Sequence, residues 1–311
     1  MLAGDRVALA KLMSRAENEA ADVPAIMARL APRCGGAYVL GVTGPPGAGK
    51  STLVDRLVHR ERAGGGSVGV IAVDPSSPFS GGAVLGDRIR MQTHALDPGV
   101  FIRSLSTRGR RGGLARATRQ VARLLDAFGK NTIIIETVGV GQTELDIMEL
   151  ARTVVVVLVP EAGDTIQVMK AGLLEIAHIF VVNKADREGA VRMKTELETM
   201  LQLRPSVGWT VPVRLTEATR DRGINELTSA IAAHRHHLAS DDDARRATER
   251  QREREFLDVL GTALRDRVAE RIAGGYAALI DRVRLGELDP YSAALEVLGD
   301  REGLRRLVGG E

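Results

Sequence analysis

The sequence predicts a doubly wound α/β domain with a mainly parallel sheet, carrying helical extensions at its N-terminal and C-terminal ends. From residue 38 onward, short β-branched or apolar runs alternate with longer stretches of helical spacing, the order expected when crossover helices join the strands. Ile133-Ile134-Ile135 and Val154-Val155-Val156-Val157 lack polar alternation, as strands covered on both faces do. Those two runs are expected at the centre of the sheet.

Residues 1–35 show two short apolar faces, Val7, Leu9, Leu12 and Met13, then Ile26, Met27 and Leu30, interrupted near Pro24; they read as a helical N-terminal extension. Strands are expected at 37–43, 67–73, 100–104, 132–136, 153–159, 179–183 and 211–215, all inside a domain spanning 36–238. Past residue 239 the character changes. Asp241-Asp242-Asp243 opens a charged helix whose apolar positions Leu257, Leu260, Leu264, Val268 and Ile272 form a stripe that needs a partner. A further helix follows Gly274-Gly275. Another begins at Asp289-Pro290, where an Asp cap precedes proline at the first helical position. Residues 239–311 are thus expected to form a helical C-terminal arm.

With 311 residues, 44% hydrophobic and 27% charged, the chain has a globular composition. Its longest apolar run, 154–159, is far too short for a bilayer, and the N-terminus lacks an apolar signal region. No membrane association and a cytoplasmic location are the expectations. Cys34 is the single cysteine, so an intrachain disulfide is excluded. The net charge of +3 and an aromatic content of 3% argue against nucleic acid as a partner. Only six of the 43 basic residues are lysines, and two of the six, Lys50 and Lys184, fall inside motifs.

The first motif is Gly44-Pro45-Pro46-Gly47-Ala48-Gly49-Lys50-Ser51-Thr52, a G-x-x-x-x-G-K-[ST] word between an expected strand and an expected helix. Its glycines let the backbone curl with N–H groups pointing at a phosphate, and the helix N-terminus adds partial positive charge. Lys50 is placed to reach the β- and γ-phosphates, Ser51 to bind Mg²⁺, and Thr52 to lie nearer the α-phosphate. Such a site also needs an acid at a neighbouring strand end. Glu136, closing the Ile133-Ile134-Ile135 run and followed by Gly139, is the best candidate; the alternative is a helix-capping acid. Asp74 and Asp87 are further metal or water-positioning candidates, with turn formation as the alternative for each.

The second motif is Asn183-Lys184-Ala185-Asp186, directly after an expected strand. The Asp186 carboxylate can accept from N1–H and the N2 amino group of guanine, whereas adenine offers neither donor there. Lys184 can lay its stem across the purine and Asn183 can tie the loop together. The expected ligands are therefore GTP and GDP with Mg²⁺.

Beyond these motifs, the chain resembles the MeaB/ArgK family of P-loop GTPases, chaperones of adenosylcobalamin-dependent methylmalonyl-CoA mutase. The resemblance rests on the two motifs and on further words: Val73-Asp74-Pro75-Ser76-Ser77-Pro78, the stretch from Gly81 through Asp87 to Met91, Arg103-Ser104 with Thr107-Arg108-Gly109, Glu136-Thr137-Val138-Gly139-Val140-Gly141-Gln142, and Gly163-Asp164. It implies a GTPase that gates cofactor loading, ejects damaged cofactor and protects the mutase, and it implies a homodimer through the C-terminal arm, where Asp289-Pro290-Tyr291 matches. It also implies switch loops at 74–91, 136–144 and 160–172, with Lys170 a candidate coupling residue. For the hydrolytic water Gln142, Asp74 and Glu144 are all candidates, and slow, partner-stimulated turnover is expected. Two departures stand out. The second guanine-contact word, usually Thr-Ser-Ala, is Thr216-Glu217-Ala218, and Arg110-Arg111 replaces a less basic pair.

Three rival classes differ at the residue level. A nickel-type metallochaperone GTPase would display a Cys/His metal site, yet Cys34 stands alone and His234, His236 and His237 lie at a helix end. A nucleic-acid-binding GTPase would use Arg103, Arg108, Arg110, Arg111, Arg116 and Arg119 as a phosphate face. A small-molecule kinase has no need of the guanine loop.

Overall fold

The computed structural model describes residues 1–74, 92–94, 96–106, 113–137, 139, 148–160, 173–203, 208–240 and 242–309. Asp87, Gln142, Glu144 and Lys170 lie outside the described residues. The described chain divides into two compact units, Met1–His237 and Leu238–Glu311.

The first unit is built on seven parallel strands: β1 (Tyr38–Thr43), β2 (Val68–Asp74), β3 (Val100–Ser106), β4 (Thr132–Thr137), β5 (Thr153–Leu158), β6 (Ile179–Asn183) and β7 (Val213–Thr216), in the order β3-β2-β4-β1-β5-β6-β7. The strands lie within one or two residues of the expected runs. At β7 the start moves from 211 to 213, because Pro212 has no N–H and serves the sheet only through its carbonyl, which accepts from Phe180. β4 and β5 flank β1 and are buried throughout, so their unbroken apolar runs are accounted for.

Successive strand residues feed opposite faces. Ile133, Ile135, Val154, Val156 and Leu158 join one core, while Ile134, Val155 and Val157 join the other. Helices α1 (Arg6–Glu17), α2 (Val23–Leu30), α4 (Gly113–Ala127), α5 (Leu173–Ile176) and α6 (Ala190–Gln202) supply apolar side chains to the first core; α3 (Lys50–Ala63) and α7 (Ile224–Ser240) supply the second. Residues 1–35 therefore belong to the main body. Leu9, Met13 and Ala16 of α1 are fully buried, each large side chain contributing about 1.5–3 kcal/mol by leaving water. Asp5 caps α1 by accepting from the N–H groups of Val7 and Ala8, and ion pairs Arg103–Glu17 and Arg116–Glu19 hold the segment laterally.

The second unit contains α8 (Asp242–Gly275), α9 (Ala277–Arg284), α10 (Pro290–Gly299) and α11 (Arg301–Val308). Asp289 caps α10 from the side-chain oxygen to Tyr291 N and Ser292 N, with Pro290 at the first turn, as its sequence signal implied. Arg267 and Arg271 of α8 donate to the carbonyls of Val308 and Arg306 at 3.0 and 3.2 Å, which satisfies the otherwise open C-terminus of α11.

Candidate nucleotide site

Because all seven strands run the same way, their C-terminal ends share one edge. That edge receives Thr43 of β1, Asp74 of β2, Glu136 and Thr137 of β4, Asn183 of β6 and Thr216 of β7. In open α/β sheets the ligand crevice lies outside those ends, where the strand order reverses. Here the reversal falls at β1, between β4 and β5, and the loop 44–49 springs from it.

The loop closes only with glycine at two points. Gly44 has φ +146° and a Cβ there would fall 2.0 Å from the carbonyl oxygen of Val157. Gly49 has φ +86° and its Cβ would fall 2.4 Å from Asn183 Nδ2. Pro45, Pro46, Gly47 and Ala48 complete the turn, with the Ala48 N–H donating to the Pro45 carbonyl at 3.3 Å. Lys50, Ser51 and Thr52 form the first turn of α3, whose N-terminal end presents partial positive charge to the loop. The Lys50 ammonium is buried and donates to the Gly44 and Pro45 carbonyls, both at 2.8 Å.

Ser51 Oγ donates to Glu136 Oε1 at 2.6 Å, and both residues are buried. Two hard oxygen donors thus meet where the P-loop helix begins. Beside them, Thr137 Oγ1 donates to Thr43 Oγ1 at 2.8 Å and Thr43 Oγ1 donates to the Gly139 carbonyl at 2.9 Å. This hydroxyl relay fixes the chain immediately after Glu136. The two threonines were not singled out from sequence, since a strand-end threonine carries no signal until its neighbour strand is known.

Asn183 connects the second motif to the first. Its Nδ2 donates to the Ala48 carbonyl at 2.8 Å, while its Oδ1 accepts from Thr216 Oγ1 at 3.0 Å and from Ala218 N at 3.2 Å. Lys184 follows with φ +56°, a left-handed conformation rare outside glycine, and Asp186 is exposed two residues later. The Ala185 N–H donates to the Thr216 carbonyl at 3.0 Å, locking this loop to the one after β7. In that loop, Glu217 turns its carboxylate toward Arg220 and Arg222 at 3.1 and 3.5 Å, and Ala218 is buried. Arg56 and Arg60, which grip this loop from α3, and Asp221, which Arg60 meets, carry no sequence signature.

Of the residues named for rival classes, Arg108, Arg110 and Arg111 lie outside the described residues, while Arg103, Arg116 and His234 have partners within the first unit. Arg103 and Arg116 pair with Glu17 and Glu19 at 2.5 and 2.7 Å. His234 Nδ1 lies 2.6 Å from Thr153 Oγ1, with its ring 4.4 Å from that of His178 and 4.7 Å from that of Trp209. Burial holds His178 down to about 4; burial, with His178 and His237 nearby, holds His234 down to about 3. Among the described residues no group of three or more His, Cys, Asp or Glu side chains is placed to hold a metal ion, and no helix is long and apolar enough to cross a membrane.

Known proteins resemble this arrangement over most of the chain. A family model described as methylmalonyl Co-A mutase-associated GTPase MeaB matches residues 9–276. A putative GTPase of Pyrococcus abyssi is 47% identical over 315 residues, covering 100% of this chain and 95% of that protein. A mouse protein, methylmalonic aciduria type A homolog, mitochondrial, is 35% identical over 219 residues, which are 68% of this chain and 53% of the mouse protein. The crystal structure of a LAO/AO transport system kinase superposes with a TM-score of 0.67 at 26% identity, covering 95% of this chain and 93% of that one. With the parallel sheet and the loop 44–49 at its C-terminal edge, the chain belongs to the MeaB family of methylmalonyl-CoA mutase-associated GTPases and is itself a P-loop GTPase.

Proposed function

We propose that this GTPase uses its hydrolytic cycle to gate adenosylcobalamin loading onto methylmalonyl-CoA mutase, and to protect or repair the loaded enzyme. The description of the family and the name of the mouse relative support that partner. The chemical part of the reading rests on one observation, the 2.6 Å contact between Ser51 and Glu136 at the mouth of the phosphate loop.

In this reading the amides of residues 44–49 and the start of α3 take the anionic β-phosphate, and Lys50 places its charge between the β- and γ-phosphates. Ser51 and Glu136 offer the oxygen donors that Mg²⁺ prefers, with Asp74 and Asp87 as further candidate donors. Bound Mg²⁺ would neutralise charge on the phosphates. Asp186 accepts from guanine N1–H and N2, Lys184 covers the ring, and the backbone of the Thr216-Glu217-Ala218 word faces the base oxygen. Asp74, Gln142 and Glu144 are the candidates for holding the attacking water. No other general base is assigned, so intrinsic turnover is slow and the partner accelerates it.

The same reading makes the C-terminal arm a homodimer contact and the protein cytoplasmic. Support for the former comes from Phe256, Leu257 and Leu260 on α8 and Leu295 and Leu298 on α10, which are exposed in the single chain. GTP turnover measured with and without purified mutase tests the proposal. The expected result is a several-fold stimulation; a fast rate indifferent to the mutase would refute the regulatory role.

A further inference from the structure

The loop between β7 and α7 is gripped from outside and from within. From α3, Arg56 Nε donates to the Ala218 carbonyl at 3.1 Å and Arg60 Nη2 meets the Asp221 carboxylate at 2.5 Å. Within the loop, Glu217 N donates to the Arg222 carbonyl at 3.0 Å and Arg222 N donates back to the Glu217 carbonyl at 3.3 Å. The Glu217 carboxylate then reaches Arg220 and Arg222, so side chains repeat the closure made by the backbone. Gly223, at φ +73°, completes the return; a Cβ there would fall 2.1 Å from the Leu215 carbonyl oxygen.

We propose that Arg56 and Glu217 are positioning residues for purine recognition: Arg56 fastens the 217–223 loop to α3 and Glu217 closes that loop on itself, so that the loop backbone and the phosphate cradle are kept in one frame. The proposal rests on the assignment of this loop to the purine made above. Arg56 stands six residues after Lys50 on the same helix, a rigid element, so its guanidinium refers the loop to the phosphate end of the site. Residue 218 is held on both sides, its carbonyl by Arg56 and its amide by Asn183. A loop ordered in advance does not have to be ordered by the nucleotide, which lowers the cost of binding. Surface ion pairs contribute little to folding, so removing Glu217 loosens the loop without unfolding the domain.

Base analogues separate this role from general support. Equilibrium binding of GDP, IDP and 2-aminopurine riboside diphosphate, which lacks the 6-oxygen, is measured for the full chain and for Glu217→Ala, Arg56→Ala and Arg56→Lys, alongside thermal midpoints. The expected result for Glu217→Ala and Arg56→Ala is a loss of about 3- to 10-fold for GDP and IDP, the worth of one hydrogen bond, with no change for the 2-aminopurine nucleotide. Arg56→Lys, which keeps a donor, recovers part of the loss. An equal loss on all three nucleotides, or none on GDP, overturns the proposal. If Arg56→Ala does not fold, the Glu217 substitution decides by the same criteria. Asp186→Asn is run in parallel: GDP binding that ignores it sinks the purine assignment itself, whereas a response there with none at Glu217 sinks the positioning role alone.

Discussion

Asn183 donates from Nδ2 to the carbonyl oxygen of Ala48 at 2.8 Å, so the loop after β6 holds the phosphate cradle directly. The same side chain accepts from Thr216 and Ala218, which makes it the junction of three loops. Asn183→Ala strands a carbonyl, a hydroxyl and an amide in a buried setting, at about 1–3 kcal/mol for each group left unsatisfied. Calorimetry is expected to show GDP affinity lower by at least about 30-fold, with a lower thermal midpoint. Affinity within threefold of the parent would contradict the junction role.

Ser51→Ala removes the hydroxyl that meets Glu136 and, in the proposed reading, a donor to Mg²⁺. The expected outcome is GTP turnover reduced by about 100-fold at saturating nucleotide, with a far weaker response when Mg²⁺ is titrated. A magnesium dependence like that of the parent would remove Ser51 from the metal site.

Asp186 is exposed and the cap position of α6 is Gly189, so Asp186→Asn is expected to spare stability. It inverts the hydrogen-bond demand from acceptor to donor, and competition assays should show preference moving from GTP to xanthosine triphosphate. Undiminished GTP preference would overturn the base-reading role.

Acid is expected to weaken the fold through the histidine cluster. His178 Nδ1 accepts from the Val154 N–H at 3.0 Å, a role only the neutral ring can fill. Its folded value, about 4, and that of His234, about 3, lie below the ordinary 6.5. The unfolded chain therefore takes up protons first as pH falls. The stabilisation is intact above about 6.5 and drains away as pH drops toward the folded values. The thermal midpoint should decline across that window, and His178→Phe should flatten the decline; an unchanged slope would show that other groups set the acid sensitivity.

Much of this architecture can be read from the chain alone, for reasons that differ by element. The central strands betray themselves because β4 and β5 are buried on both faces and tolerate no polar alternation. The phosphate loop is legible because its glycines answer to local geometry at Gly44 and Gly49. What the sequence hides is contact across long separations. Arg56 and Ala218 are 162 residues apart, and Thr43 and Thr137 are 94 apart, so neither pair has a local pattern to reveal it. Residues 1–35 were legible as helices but not as core, because two short apolar faces look the same whether they cap a domain or complete it.

The burial of Leu9 and Met13 and the pairing of Glu17 with Arg103 bear on how the protein is handled. Trimming some twenty leading residues to tidy a preparation would expose an oily flank of the sheet and remove the glutamates that Arg103 and Arg116 meet there. Shortened versions should then clump before they lose any catalytic group, so poor solubility in such samples would say little about the nucleotide chemistry.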